Sequence, residues 1–274
     1  MKVLRFLFLF FFTITTVAFA QEWRNVTRPD DVFESGYIQV VGVSADGQNR
    51  YAALRAAEVI AQRELLETLL GLTLYGETTI KEGMMHSDLI KTNVKGVLRG
   101  AVTCGKKYYP AEGYAEVCKR IYLKGRYGLY SIFLPLIKDG KIPVDKLPDY
   151  KPSLAVKKKT EVVYDGLIVD VGSYPFRPAI VNRIITENNE IIFDPSKVAN
   201  DILIERGCGG FTKDIAKAKA LLSKWGTKRP LIVKAVGVYK GTDVKVSKED
   251  ALRIYRSNEE TNFLAEAKVV FVVR

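Results

Sequence analysis

Apolar and polar positions along this chain repeat with two different periods, and the changes of period mark out strands and helices. Residues 37–44 (YIQVVGVS) are dense in β-branched side chains and predict a strand. An Asp46-Gly47 turn follows, and from 49 to 70 the apolar positions recur at intervals of three and four. Leu54, Ala57, Ala61, Leu65 and Leu69 form one stripe, widened by Val59, Leu66 and Leu70, which predicts a long helix. Ala52, Ala53, Ala56 and Ala57 near its start are small enough to let it lie close against a sheet. Residues 73–80 (TLYGETTI) alternate as a strand, and a short helix is expected over 87–95 with Ser87 or Asp88 as its cap. A hairpin is expected next, with strands 97–109 and 114–123 turning through Pro110-Ala111-Glu112-Gly113, and 127–137 reads as a closing apolar strand. The order βαβαββ up to residue 123, ahead of that closing run, belongs to an α+β layer, a mainly antiparallel sheet covered by a long helix.

Between 138 and 160 the pattern lapses. Pro143, Pro148 and Pro152 alternate with Lys and Asp, ending in three lysines at 157–159, so this stretch is expected to be a linker. A second, mixed α/β domain is expected over 161–274. Its strands are 161–171 (EVVYDGLIVDV), a hairpin centred on Asn188-Asn189, 231–239 and 244–246. Residues 195–206 and 212–225 read as helices, and Ser247-Lys248-Glu249-Asp250 resembles a capping box opening a helix through Ser257. The run 267–273 (AKVVFVV) is continuously apolar, as in a strand buried on both faces. The expected organisation is therefore a leader over 1–20, an extension over 21–36, a first domain over 37–137, the linker, and the second domain.

The leader changes the picture most. Lys2 and Arg5 precede the apolar run from Leu7 to Phe12, extended through Ile14 and Val17, and Ala18-Phe19-Ala20 has the small-x-small form of a signal peptidase site. Cleavage after Ala20 would make Gln21 the mature start and place the protein in the periplasm or outside the cell. No Cys follows the site, so lipid anchoring is not expected. Without its leader the chain has 254 residues, in which 40 Lys and Arg face 31 Asp and Glu, a net +9. That excess suits an anionic envelope surface or an acidic partner. Export and the lack of a basic-aromatic recognition motif argue against nucleic acid. In an oxidising destination, Cys104 and Cys118, whose midpoint at residue 111 falls inside the 110–113 turn, are expected to form a cross-strand disulfide, leaving Cys208 buried and free.

Residues able to do chemistry are few. His86 is the single histidine, in a loop-like Met84-Met85-His86-Ser87 junction with no nucleophile motif beside it. Asp165 and Asp170 could suggest a carboxylate pair, but their opposite parity on a strand turns them to opposite sides. Gly207-Cys208-Gly209-Gly210 resembles a phosphate loop, yet it follows a helix and not a strand, which favours Gly207 as a left-handed helix terminator. Three scattered Cys and one His do not make a zinc set. Asn25-Val26-Thr27 is a glycosylation sequon that a bacterial setting would leave silent. No catalytic, cofactor or metal residue is assigned, and the chain is expected not to be an enzyme.

Gly42, residues 50–71 (RYAALRAAEVIAQRELLETLLG), Glu77-Thr78-Thr79 and residues 94–101 (VKGVLRGA) together resemble the twenty-kilodalton LPP lipoprotein family, to which the N-terminal domain of the flagellar assembly protein FlgT is similar. Residues 164–170 (YDGLIVD), Arg177-Pro178-Ala179 and 207–214 look like a C-terminal region of larger exported relatives. The resemblance implies a non-enzymatic bacterial envelope protein and, in FlgT-like proteins, a part in building a ring around the flagellar motor. The lipobox Cys and the middle domain of FlgT-like proteins are missing. The function expected is thus a structural or assembly scaffold contacting envelope or flagellar basal-body proteins. The alternative is a periplasmic binding protein taking a lipid, glycan or other anionic ligand in an inter-domain cleft. N-terminal sequencing of the exported protein should begin at Gln21; an intact Met1 would overturn the leader assignment.

Overall fold

The computed structural model describes residues 23–152 and 162–273, so the expected cleavage site at Ala20 and Gln21 and the lysine run at 157–159 lie outside the described residues. The chain is mixed α+β. Its first layer is a three-stranded antiparallel sheet in the order β1 (Tyr37–Val43), β5 (Tyr114–Tyr122), β4 (Val102–Tyr109). The long helix α2 (Arg50–Gly71) crosses one face, started by the Asn49 side chain, which accepts from the Ala52 N–H. Ala53, Ala57, Ala61, Leu65 and Leu69 are its buried stripe, close to the expected one.

That packing is unusually close because it is made by small residues. A Cβ placed on Gly42 of β1 would lie 2.2 Å from the Ala57 carbonyl oxygen and 2.5 Å from the Ala61 nitrogen, both backbone atoms of α2. A helix with large residues at 57 and 61 would stand off the sheet; here helix backbone meets strand backbone.

Several local expectations need correction. Residues 73–80 are not one strand: β2 (Thr73–Tyr75) and β3 (Thr78–Thr79) form a small hairpin, and α3 (Ile80–His86) starts at once. Thr79 and Glu82 form a full capping box there, which satisfies the helix start locally. The helix α4 (Asp88–Arg99), capped by Ser87, runs on through Val97, so the strand expected from 97 begins only at Val102. Its Ile90, Val94 and Val97 are buried at helical spacing. The apolar run at 127–137 is also a helix, α5 (Leu129–Lys138), because Leu129, Tyr130, Phe133, Leu136 and Ile137 all find core partners on a helical face. Ahead of β1, residues of the expected extension form α1 (Pro29–Ser35), whose Phe33 packs edge-on against Phe211 at 5.4 Å.

The second half holds two further sheets. One is wholly parallel, in the order β10 (Pro230–Lys234), β6 (Gly166–Gly172), β13 (Val269–Val273), β9 (Gly210–Thr212). Its interior strand β13 takes up the last five residues of the apolar 267–273 run and is buried on both faces as its composition requires. The first residue of that run, Ala267, lies in a turn with positive φ. Helix α7 (Ile215–Lys224) covers one face through Ala218 and Leu222 against Ile168, Val270 and Val272. The other sheet is mixed, β11 (Gly237–Tyr239), β12 (Asp243–Val246), β7 (Ile184–Thr186), β8 (Ile191–Phe193), with α8 (Lys248–Thr261) beside it. The helix expected over 195–206 is a 3-10 turn (Pro195–Lys197) followed by the short α6 (Asn200–Arg206).

A single apolar cluster runs through both halves, from Val32 and Ile38 through Phe133 to Val169 and Phe271. Where a bare linker was expected, residues 139–152 also pack. Ile142 is buried, Asp149 bridges Ile191, and the Tyr150 ring meets Tyr255 at 6.0 Å. Proline removes ladder donors but leaves neighbouring side chains free to bury. Gly42→Ala should cost about 1–3 kcal/mol by overpacking, read as a lower urea midpoint, because two backbones must separate to admit one methyl. An unchanged midpoint would refute the close approach.

Candidate functional site

The residues that looked chemical in the sequence are held apart and put to structural use. His86 ends α3 and is exposed. Asp165, just before β6, accepts the Lys228 and Arg229 N–H groups at 2.8 and 2.7 Å, and so fixes the entry to β10. Asp170 sits five residues along β6, roughly 16 Å away at about 3.3 Å per residue, and accepts the Gly172 N–H at 3.2 Å. The two carboxylates do not converge. Gly207 has φ +68 and ψ −151, so it ends α6 with positive φ but outside the left-handed helical region expected for it. A Cβ there would lie 2.5 Å from the Tyr130 ring. The glycines lead into β9, and the helix after that strand is capped by Asp214, so no helix start follows the glycine run directly. Cys208 is fully buried with its sulfur 3.3 Å from the Tyr130 hydroxyl, and burial pushes its thiol pKa up. Among the described residues there is no cluster of three or more His, Cys, Asp or Glu able to hold a metal, and no helix is long and apolar enough to cross a membrane.

Cys104 and Cys118 form the expected disulfide. The register differs in an instructive way. Thr103 pairs with Lys119 but Gly105 pairs with Cys118, so Cys104 is the extra residue of a bulge. The bridge joins β4 to the central strand β5, and the Trp23 ring occupies the space above the neighbouring Gly105, where a Cβ would lie 2.0 Å from it.

Three places gather polar chemistry. The first is buried at the junction of the halves. The Arg183 guanidinium donates to Asp243 Oδ2 at 2.6 and 3.0 Å and to the Asp145 carbonyl at 2.8 Å, and the Tyr75 hydroxyl donates to the same Asp243 oxygen at 2.9 Å. Both charged side chains are fully buried. Burial raises the Asp243 pKa while Arg183 and Tyr75 pull it down. Around this pair Ile180 and Val181 donate backbone bonds to Thr73 and Leu74, and Gly76 donates to the Thr242 hydroxyl. A polar cavity of about 420 Å³ opens beside it, lined by Tyr75, Glu77, Thr78, Asp145 and Lys240. Of its two carboxylates, Asp145 is already taken, since Lys240 lies 2.7 Å from it and Tyr239 donates to it at 2.9 Å, and Glu77 is exposed 4.0 Å from Arg177.

The second is the face of the β1-β5-β4 sheet away from α2. Strand alternation puts Tyr37, Tyr122, Arg120, Tyr109, Tyr114 and Lys107 there. Arg120 lies 4.4 Å from the Tyr37 ring centre and donates to Gln39 Oε1, Lys107 lies 4.3 Å from Tyr109, and Tyr109 stacks on Tyr114 at 4.4 Å. No helix among the described residues lies along this face as α2 does along the other. Residues 23–25 cross its middle, with Gln39 donating to the Arg24 carbonyl and the Trp23 ring over Gly105, so Gln39 and Cys118 are buried while Val43, Val102 and Tyr122 remain 42–46% exposed.

The third is a groove of about 650 Å³ on the opposite side, where the middle of α2, the end of α4 and the sheet meet. Leu65, Leu66 and Leu98 supply its apolar wall, and Arg63, Arg99 and Lys119 its cations. The Lys119 ammonium is held by Glu58 at 2.7 Å, which also takes Lys106 at 3.3 Å, and these bonds lower the Glu58 pKa.

Asp243→Asn should destabilise the protein by about 3–5 kcal/mol, because it leaves Arg183 as an uncompensated buried charge. The double replacement Arg183→Met with Asp243→Leu should cost less than the single one. Chemical denaturation of both variants checks this, and a double variant less stable than Asp243→Asn would refute the pairing.

Compared with known families, residues 166–274 match the model described as Treponema pallidum Tp0624, second domain. The match starts at the first residue of β6 and takes in both C-terminal sheets, leaving the open sheet face and the groove outside it. No curated protein matches the chain.

Proposed function

We propose that this chain is an exported, non-enzymatic envelope protein that acts as a structural or assembly scaffold. On this reading an acidic envelope protein docks against the open face of the N-terminal sheet. The observation that carries the reading is that face itself. Tyr, Trp and Arg are the side chains most often found at the energetic centre of interfaces, since they cover much area with few rotatable bonds. Here they are braced before any partner arrives: Arg120 is held by Gln39 against Tyr37, and Tyr109 is stacked on Tyr114 with its hydroxyl on Glu116 at 3.1 Å. Preorganised groups lose less entropy on binding.

Three further observations support it. The Cys104–Cys118 disulfide suits an oxidising compartment, in line with periplasmic location or secretion. Asp165 and Asp170 are engaged with backbone N–H groups, which gives them a reason to be present without catalysis. The family match to a second domain begins within five residues of the expected domain start at 161, which supports two functional units joined in one chain. The flagellar base is the destination that the resemblance of residues 37–137 to the LPP and FlgT N-terminal group would imply, and flagellar basal-body proteins are the corresponding partners.

A photo-crosslinking residue at Tyr122 in the wild-type background should capture a discrete acidic partner in envelope extracts. Arg120→Glu should reduce that yield about tenfold or more, with the disulfide and the thermal transition retained, since reversing a central interface charge costs well over 1 kcal/mol. Equal capture by wild type and Arg120→Glu would sink the scaffold reading as placed on this face.

A further inference from the structure

We propose that the groove between α2 and α4 binds an anionic amphiphile, a single acyl chain ending in a carboxylate or phosphate. The site lies on the other side of the sheet from the docking face and goes beyond the scaffold reading. Its shape and its charge point to the same ligand. The volume of about 650 Å³ falls in the range of small-molecule sites, and its wall of Leu65, Leu66 and Leu98 offers a chain an apolar bed. Every charged residue lining it among the described residues is a cation: Arg63, Arg99 and Lys119.

The neighbouring acids leave part of that charge available. Glu58 engages Lys119 and Lys106, and Glu67 lies 3.6 Å from Arg63 in an exposed i,i+4 pair, which solvent screens. Arg99, in the last turn of α4, has no carboxylate within ion-pair distance among the described residues. A guanidinium at the mouth of an apolar groove is suited to hold an oxyanion head by two parallel N–H bonds, while the chain lies along the leucines. A neutral chain would lose the head contact and a bare anion would lose the bed. Binding therefore requires both parts of the ligand.

The two sources of such a ligand, a free fatty acid and an anionic phospholipid, share this chemistry and are separated by the experiment. Purified protein is titrated calorimetrically with laurate below its micelle concentration, with dodecyl maltoside as a neutral chain, and with inorganic phosphate as a bare anion. Cosedimentation is measured with phosphatidylglycerol vesicles and with phosphatidylcholine vesicles. Laurate should bind with one site per chain, at least tenfold tighter than dodecyl maltoside, and phosphate should not register. Arg63→Gln with Arg99→Gln, both at exposed positions, should weaken laurate about tenfold or more and leave dodecyl maltoside unchanged, as loss of a charge-assisted bond predicts. Leu66→Asp should abolish laurate binding with the thermal transition retained, by placing a like charge on the apolar wall. Cosedimentation with phosphatidylglycerol alone, lost in the same variants, would identify the phospholipid as the source; laurate binding without cosedimentation would identify the free acid. Laurate and dodecyl maltoside binding equally, or laurate affinity unaltered in the double arginine variant, would overturn the proposal.

Discussion

The relation between the two halves depends on one buried ion pair. Arg183 and Asp243 both come from the C-terminal half, and two buried charges need hydrogen bonds beyond their own pairing; Asp243 takes these on Oδ2, while its buried Oδ1 has no hydrogen-bond partner. The C-terminal half alone does not supply those further bonds. Tyr75, from the hairpin after α2, donates to the same Asp243 oxygen, and the Asp145 carbonyl takes another Arg183 donor. Backbone bonds from Ile180 and Val181 to Thr73 and Leu74 then align the two segments. The pair therefore selects one docking geometry, because any shift of the 73–76 hairpin leaves a buried charge short of a partner. The apolar cluster that runs from Val32 to Phe271 gives the larger driving force, but apolar contact is permissive in direction and would tolerate neighbouring arrangements.

Much of the fold was legible where pattern and local chemistry agree. α2 shows its cap at Asn49, its small-residue stripe and its length, and β13 shows a run of apolar residues too continuous for an edge. The errors arose where two signals competed. Thr78 and Thr79 favour a strand by their branching, yet Thr79-Ile80-Lys81-Glu82 is also a capping box, and the helix won because Glu82 satisfies the Thr79 N–H locally. The run 127–137 is apolar nearly throughout, so its period is ambiguous, and only its tertiary neighbours choose helix over strand. The disulfide pairing was legible from symmetry about the turn, but the bulge was not, since nothing local to Cys104 demands an extra residue.

The surfaces were less legible than the elements, for a physical reason. The open face follows from alternation once β1, β4 and β5 are paired, and the parity of Tyr37, Arg120 and Tyr122 was available in the sequence. What alternation does not show is which of the two faces α2 covers. Gly42 decides that, by admitting the helix backbone on its own side of β1. The groove is assembled from residues near 65, 99 and 119, brought together by the turn of α4 into β4, and that turn lay inside a stretch read as strand. A site built from three distant segments carries no local motif.

Adjacent residues of one strand serve both surfaces. Lys119 and Arg120 point to opposite sides of β5 by simple alternation, the first into the groove beneath α2 and the second onto the open face. β5 is the central strand, paired on both edges, and the disulfide ties Cys118, next to Lys119, to the bulge in β4. A central, covalently braced strand has little freedom to slide or fray, so the cations it presents are held in place on both sides. Such rigidity has a use if each surface must offer charge at a fixed position to a partner arriving from solution. Beside the bridge, Gly105 gives up a side chain so that the Trp23 ring can lie over β4. The N-terminal segment is thereby held against β4, and its Asn25 and Val26 bond to β1, so it ties together the two strands that flank β5.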